Sequence, residues 1–304
     1  MLNDFVTQFW PSTVDGLAAG SIYALIALGY TLVYGVLRLI NFAHAEVFMI
    51  GTLCAMLSLS WFDISEPLTG LPLVGMLLLM AAAATLGSAG TAVVLERVAY
   101  RPLRKHGAPR LAALISAIGA SLFLQELAAL VLIPHVLGRP GKGRDIIGSQ
   151  RFMEKDTLFH IGNAVVRNDK LLIFIAAVVM MVALDQFVSR TKIGRGIRAT
   201  AQDPQTAVLM GVNIDRVVVM TFLVGGVMAG VAAALYVVQF ETTEFFVGFL
   251  LGIKAFTAAV LGGIGNLRGA LVGGLAIGLI ETYGSSIFGS QWSDVIVFAI
   301  LVLV

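Results

Sequence analysis

The chain has 304 residues, 58% of them hydrophobic and only 12% charged, with a net charge of +2 and a mean hydropathy of +0.93. That is far more apolar surface than one soluble core of this length hides, so the composition excludes an ordinary soluble domain and points to an integral membrane protein. The charge is too small to argue for a nucleic-acid partner, and the single cysteine, Cys54, excludes an intrachain disulfide and a cysteine-rich metal site.

In chain order, apolar runs occupy 14–37, 44–62, 72–95, 111–134, 171–189, 217–238 and 269–288, each close to the roughly 20 residues a spanning helix needs. A further run, 245–264, contains Gly248, Gly252, Lys254, Gly262, Gly263 and Gly265 and reads as a bent or discontinuous helix. The last run begins near Val295; about ten residues cannot span, so the chain is read as stopping inside its last helix. The expected fold is all-α, a polytopic membrane bundle of about eight or nine transmembrane helices with one broken, forming a single transmembrane domain over 1–304. Glycine recurs within the runs as GLAAG (16–20), GSAG (87–90), GGVMAG (225–230) and GALVGGLAIG (269–278). Small residues at such spacings let helix backbones approach closely in lipid, so these motifs predict tight crossings.

No Lys or Arg precedes Arg38, while Asp4 and Asp15 lie near the start, which places the N-terminus outside with the first run retained as a span. Alternate crossings then put three connections in the cytoplasm: 38–43, 97–110 (Arg97, Arg101, Arg104, Lys105, Arg110) and 190–215, the last with Arg190, Lys192, Arg195 and Arg198 and followed by Arg216. The long connection 135–170 falls outside although its basic residues outnumber its acidic ones. Its Gly and Pro content suits either an ordered docking surface for an external partner or a solvated connector.

Polar groups at membrane depth are costly and tend to face a bundle interior or an aqueous path. Asn41, His44 and Glu46, following Arg38 where one run gives way to the next, read in two ways. They line or gate a path, or Asn41 caps the second helix with Glu46 in its first turn. Gln125, Glu126, Asp185, Lys254 and Glu281 are also within or beside runs. An unpaired Glu126 or Glu281 would cost about 2.5–3.5 kcal/mol, so each is expected to titrate or to find a partner, for instance Lys254, pairing being the favoured account.

The segment 190–213, RTKIGRGIRATAQDPQTAVLMGVN, interrupts two apolar runs. Asp203 suits an N-cap, Pro204 the first helical position and Gly211 a left-handed stop. The helix so bounded has about two turns and reaches roughly 10 Å, too short to cross a bilayer and marginal alone in water. It is expected to need a partner surface. Catalytic motifs are missing: GKG (141–143) lies in no phosphate loop, and His44-Ala45-Glu46 matches the start of a zinc-deaminase motif without its P-C-x-x-C. If ATP drives this protein, another chain must hydrolyse it.

Three segments together resemble the permease subunits of bacterial ATP-binding-cassette importers for branched-chain amino acids: GLAAGSIYALIALGYTLVYGVLRLINFAHAEVFMIG (16–51), GRGIRATAQDPQTAVLMGVNIDRV (194–217) and IKAFTAAVLGGIGNLRGALVGGLAIGLIE (253–281). Length and the early NFAHAE are similar to the shorter of the two permeases in such a system. The resemblance implies that Asp203, Pro204, Gln205, Thr206, Ala207, Leu209 and Gly211 form a cytoplasmic coupling helix seated in a groove of the ATPase, flanked by Arg195 and Arg198. It implies no cofactor in this chain, ATP and Mg being used by two ATP-binding subunits. A second homologous permease and a periplasmic amino-acid binding protein are also implied, in a bacterial inner membrane. Relatives that move urea or short amides share these motifs, and an ion-coupled carrier built on Glu126 and Glu281 remains the alternative of another class. One departure stands out. The family commonly has glycine after the histidine of NFAH, and Ala45 here puts a close backbone contact in question.

Overall fold

Lipid offers no hydrogen bonds, so each apolar run must pair its own N–H and C=O groups, and helices do so within a single segment. The computed structural model describes residues 2–62, 64 and 66–304, with the backbone alone for 2–7 and 110; the side chains of Asp4 and Arg110 lie outside the described residues. The helices are α1 (Leu2–Leu37), α2 (His44–Ser60), α3 (Gly70–Leu95), α4 (Arg101–Lys105), α5 (Arg110–Leu127), α6 (Asn168–Arg190), α7 (Lys192–Gln202), α8 (Pro204–Leu209), α9 (Ile214–Phe240), α10 (Val247–Leu261), α11 (Leu267–Phe288) and α12 (Ser293–Leu303). A π turn, Glu96–Tyr100, joins α3 to α4, and a second, Ala128–Val136, prolongs α5. Strand β1 (Ile147–Gly148) pairs antiparallel with β4 (Thr242–Thr243), and β2 (Thr157–Ile161) forms a hairpin with β3 (Ala164–Arg167).

Among the described residues, six helices are long and apolar enough to cross a membrane, and three shorter apolar helices accompany them. This is the all-α polytopic bundle that the runs predict. The 245–264 run differs from its reading. Val247–Leu261 is one unbroken helix, because Gly248 and Gly252 serve close packing against α2, while Gly262, Gly263 and Gly265 fall in the turn to α11.

Helix α1 is the axis: 89% of its apolar window is buried, against 17% for the window spanning α3 and 22% for α6. The outer faces of α3, α5 and α6 expose Leu78, Leu86, Ile115, Ile175 and Val179. Apolar surface of this extent is not left to water, so lipid must solvate it, and the protein is a multi-pass membrane protein. The glycine motifs meet one another. A Cβ on Gly274 would strike the backbone of Ala24, and one on Gly278 would strike Gly16 and Gly20, so GLAAG and GALVGGLAIG form the α1–α11 seam. Gly226 and Gly230 press on Ala89 and Thr85, joining α9 to α3.

The bundle has two unlike ends. One carries α4, α7, α8 and the 262–266 turn, where Arg104 pairs with Asp215 at 2.6 Å and with buried Glu96 at 3.3 Å. The other carries the 137–167 connection, with its hairpin, the β1–β4 pair and the Lys155–Glu241 pair at 3.0 Å. In the interior Lys254 pairs with Glu281 and Asp294, both at 2.7 Å. Glu126 meets a different cation, Arg144 at 2.9 Å, at a half-exposed position on α5. Both carboxylates thus find partners, Glu281 in the interior and Glu126 at the half-exposed surface of α5.

Candidate functional site

The α7–α8 segment is built from local caps. The Thr191 hydroxyl accepts the Gly194 N–H at 2.9 Å and starts α7. Asp203 ends α7 and begins α8: its carboxylate accepts the Gln205 N–H at 2.9 Å and the Thr206 hydroxyl. These bonds, the Thr206 hydroxyl foremost, hold the Asp203 carboxyl below its ordinary pKa. Pro204 takes the first turn, where its missing N–H costs nothing. At the other end Gly211 adopts φ +84°. Its N–H reaches the Val208 carbonyl at 2.9 Å, and the Val212 N–H reaches Ala207 at 3.0 Å, the paired closure that a left-handed residue permits.

This doubly capped helix buries Ala207 and exposes Pro204, Gln205 and Thr206. Its tip is apolar yet open, with Leu209 at 86% and Met210 at 81% exposure. Arg195 stands exposed on α7. Arg198 is exposed as well, but donates to the Val188 carbonyl of α6. A further tie was not foreseen: Arg38, left-handed at φ 55° just past α1, donates to the Ala201 carbonyl at 2.7 Å. The segment is therefore anchored to α1 and α6 while its tip projects away.

The second cluster surrounds the start of α2. Asn41 is buried, and its Oδ1 accepts from the Tyr100 hydroxyl at 2.7 Å. It supplies no side-chain cap to α2, whose start at Ala43 and His44 has none; the π turn has taken its oxygen instead. His44 is buried with its ring edge-on to Tyr30, centroids 4.9 Å apart, beside Gly29. Glu46 points elsewhere. Its Oε1 accepts from Gln125 Nε2 at 2.8 Å and Ser121 Oγ at 3.0 Å, while Oε2 is buried without a partner among the described residues.

Glu46 lines a cavity of about 550 Å³ between α5 and the α1, α2 and α10 side of the bundle. The wall is otherwise mostly apolar, from Tyr30, Ile118, Leu122, Phe249, Ile253 and Phe256. The Ala45 question resolves at the same place. Its carbonyl and methyl pack directly on Gly248 and Gly252, so the close crossing is kept, with the small residues supplied by α10. A larger groove of about 910 Å³ lies between the 61–69 connection and the flank of α3, away from both clusters.

Residues 12–304 match the family described as the branched-chain amino acid transport system / permease component. The chain belongs to this family. It is 41% identical to the high-affinity branched-chain amino acid transport system permease protein BraD of Pseudomonas aeruginosa, covering 98% of this chain and 94% of that protein. It is 39% identical to LivH of Salmonella typhimurium, covering 97% and 92%. A probable LivH from Methanocaldococcus jannaschii is 26% identical over 89% of this chain and 80% of that one.

The permease thus has two separate clusters, one at the α8 tip and one at the cavity. Of the three polar residues read together at 41–46, only Glu46 opens on the cavity; Asn41 borders a void of about 10 Å³ beside Tyr34 and Ile264, and His44 packs in the core. Ser121 and the aromatic wall of α10 escaped the sequence reading. The signals were present: Ser121 and Gln125 are four apart, and Phe249, Gly252, Ile253 and Phe256 form one helical stripe.

Proposed function

We propose that the permease moves branched-chain amino acids across a bacterial inner membrane as the membrane-spanning subunit of an ATP-driven importer. The N-terminus and the hairpin end face the periplasm, and α7–α8 face the cytoplasm. The whole of 1–304 serves as one transmembrane domain. A second, homologous permease completes the path, a periplasmic binding protein delivers substrate to the hairpin end, and two ATP-binding subunits hold ATP and Mg and hydrolyse the nucleotide. The names of BraD and LivH supply the substrate class.

The observation that carries this reading is the exposed Leu209–Met210 tip on a helix fixed at both ends by Asp203 and Gly211. Apolar side chains that end a rigid peg in water fit a groove on a soluble partner. The peg also has a route inward. Arg38 ties α7 to α1, whose Tyr30 and Tyr34 border the cavity and the small void beside it. Closure of the ATPase pair would displace α8 and bias the bundle between outward and inward states, through whichever contacts differ between them. An ion-coupled carrier is not favoured, because Glu126 and Glu281 are both engaged in ion pairs.

The test is co-purification of the ATPase subunits with a permease carrying Asp203→Ala, Pro204→Ala and Leu209→Asp. Loss of the ATPase with retention of the second permease is expected. Equal recovery of the ATPase would remove the coupling assignment. Leucine uptake by the reconstituted wild-type assembly, dependent on ATP and the binding protein, checks the substrate class.

A further inference from the structure

We infer that Glu46 receives the ammonium group of the transported amino acid, with its free Oε2 as the acceptor. The inference rests on the branched-chain amino acid reading and assigns a role within it. Glu46 is fully buried, yet its two oxygens are treated differently. Oε1 is saturated by Ser121 and Gln125, which fix the carboxylate plane, while Oε2 has no donor among the described residues. A buried acceptor left empty is expensive, and a buried carboxylate without a cation more so. Among the described residues, no Lys, Arg or His lines the cavity.

The surroundings say which cation belongs there. Oε2 lies over Gly248 in the first turn of α10, where a Cβ would stand 3.0 Å from it. The positive end of that helix offsets part of the cost of burying the charge, and glycine leaves room for the carboxylate against the α10 backbone. An inorganic cation would want a cage of oxygens. Beyond Glu46, Ser121 and Gln125, the wall adds, among the described residues, one further side-chain oxygen, that of Tyr30. What the same wall does provide is Ile118, Leu122, Phe249 and Phe256, a surface for a branched aliphatic group. A primary ammonium attached to an apolar tail satisfies both halves.

The experiment uses the complete assembly, both permeases, ATPase subunits and binding protein, in proteoliposomes, with radiolabelled leucine as the probe. Glu46→Gln keeps the shape and an oxygen for Ser121 but removes the charge; Glu46→Asp keeps the charge on a shorter arm. Loss of a charged hydrogen bond predicts leucine uptake reduced roughly 10-fold or more in Glu46→Gln. Hydrolysis of ATP stimulated by the loaded binding protein should stay within about twofold of wild type, since the coupling end is untouched. Glu46→Asp should retain more uptake than Glu46→Gln. Wild-type uptake by Glu46→Gln, uptake by Gln equal to or above that by Asp, or a joint fall of uptake and hydrolysis would each overturn the assignment. A wild-type assembly that does not import leucine would instead overturn the substrate reading on which the assignment stands.

Discussion

Asp203 is fully exposed, and its value lies in geometry that two hydrogen bonds enforce. Because its carboxyl is more acidic in the fold than its ordinary value of 3.8, it stabilises the first turn of α8 at every pH above that value. The contribution fades as pH falls below 3.8 through the lower folded value. Hydrogen exchange at the Gln205 and Thr206 amides should therefore show protection from neutral pH down to about 4 and loss below it. Asp203→Asn, a cap that does not titrate there, should flatten the profile. Lys254 presents the opposite case, a charge whose worth depends on burial. Lys254→Met strands Glu281 in the interior and should cost about 3–5 kcal/mol in thermal unfolding of the solubilised protein, while adding Glu281→Leu should recover much of it. Capping residues were legible in the sequence because a cap is decided within a few positions. Asn41 misled for a related reason: its use was settled by Tyr100, which local sequence does not reveal as a neighbour. Glu46 was legible as unusual, but its donors on α5 were not, since pairing across helices depends on how they rotate against each other.

At the level of helices, the glycine motifs announced close crossings without saying which would meet. Nothing in GLAAG specifies GALVGGLAIG as its partner; the fit emerges only when α1 and α11 lie side by side. That seam has no spare room. Gly278→Val would drive a side chain into the backbone at Gly16 and Gly20, where no rotamer relieves the contact. Overpacking of this kind costs at least about 1–3 kcal/mol, so the variant should show a lowered melting temperature and poor recovery in size-exclusion chromatography. Gly90→Val on α3, where nothing stands within 4 Å, should behave nearly as wild type. The same distinction explains the misread 245–264 run. Glycine in an apolar segment signals either a break or a close neighbour, and only the neighbour's position, here Ala45, tells them apart.

For the whole molecule, charge placement and alternation of spans gave two ends, and the structure places unlike elements at each. Orientation is checked by labelling. In a Cys54→Ala background, a cysteine replacing Lys142 should react with a membrane-impermeant maleimide added to spheroplasts. One replacing Gln205 should react only in inverted vesicles. The reverse pattern would invert the topology. The α8 peg carries one more consequence, for the speed of assembly. A helix of six residues would ordinarily form only upon docking and would lose ordering entropy at that moment. Here Asp203 and the Gly211 closure have already ordered it, so encounter with a partner requires no folding step. Association should then proceed as for two rigid bodies, at about 10⁵–10⁷ M⁻¹s⁻¹. Changes at Leu209 should appear in how long the complex lasts rather than in how fast it forms.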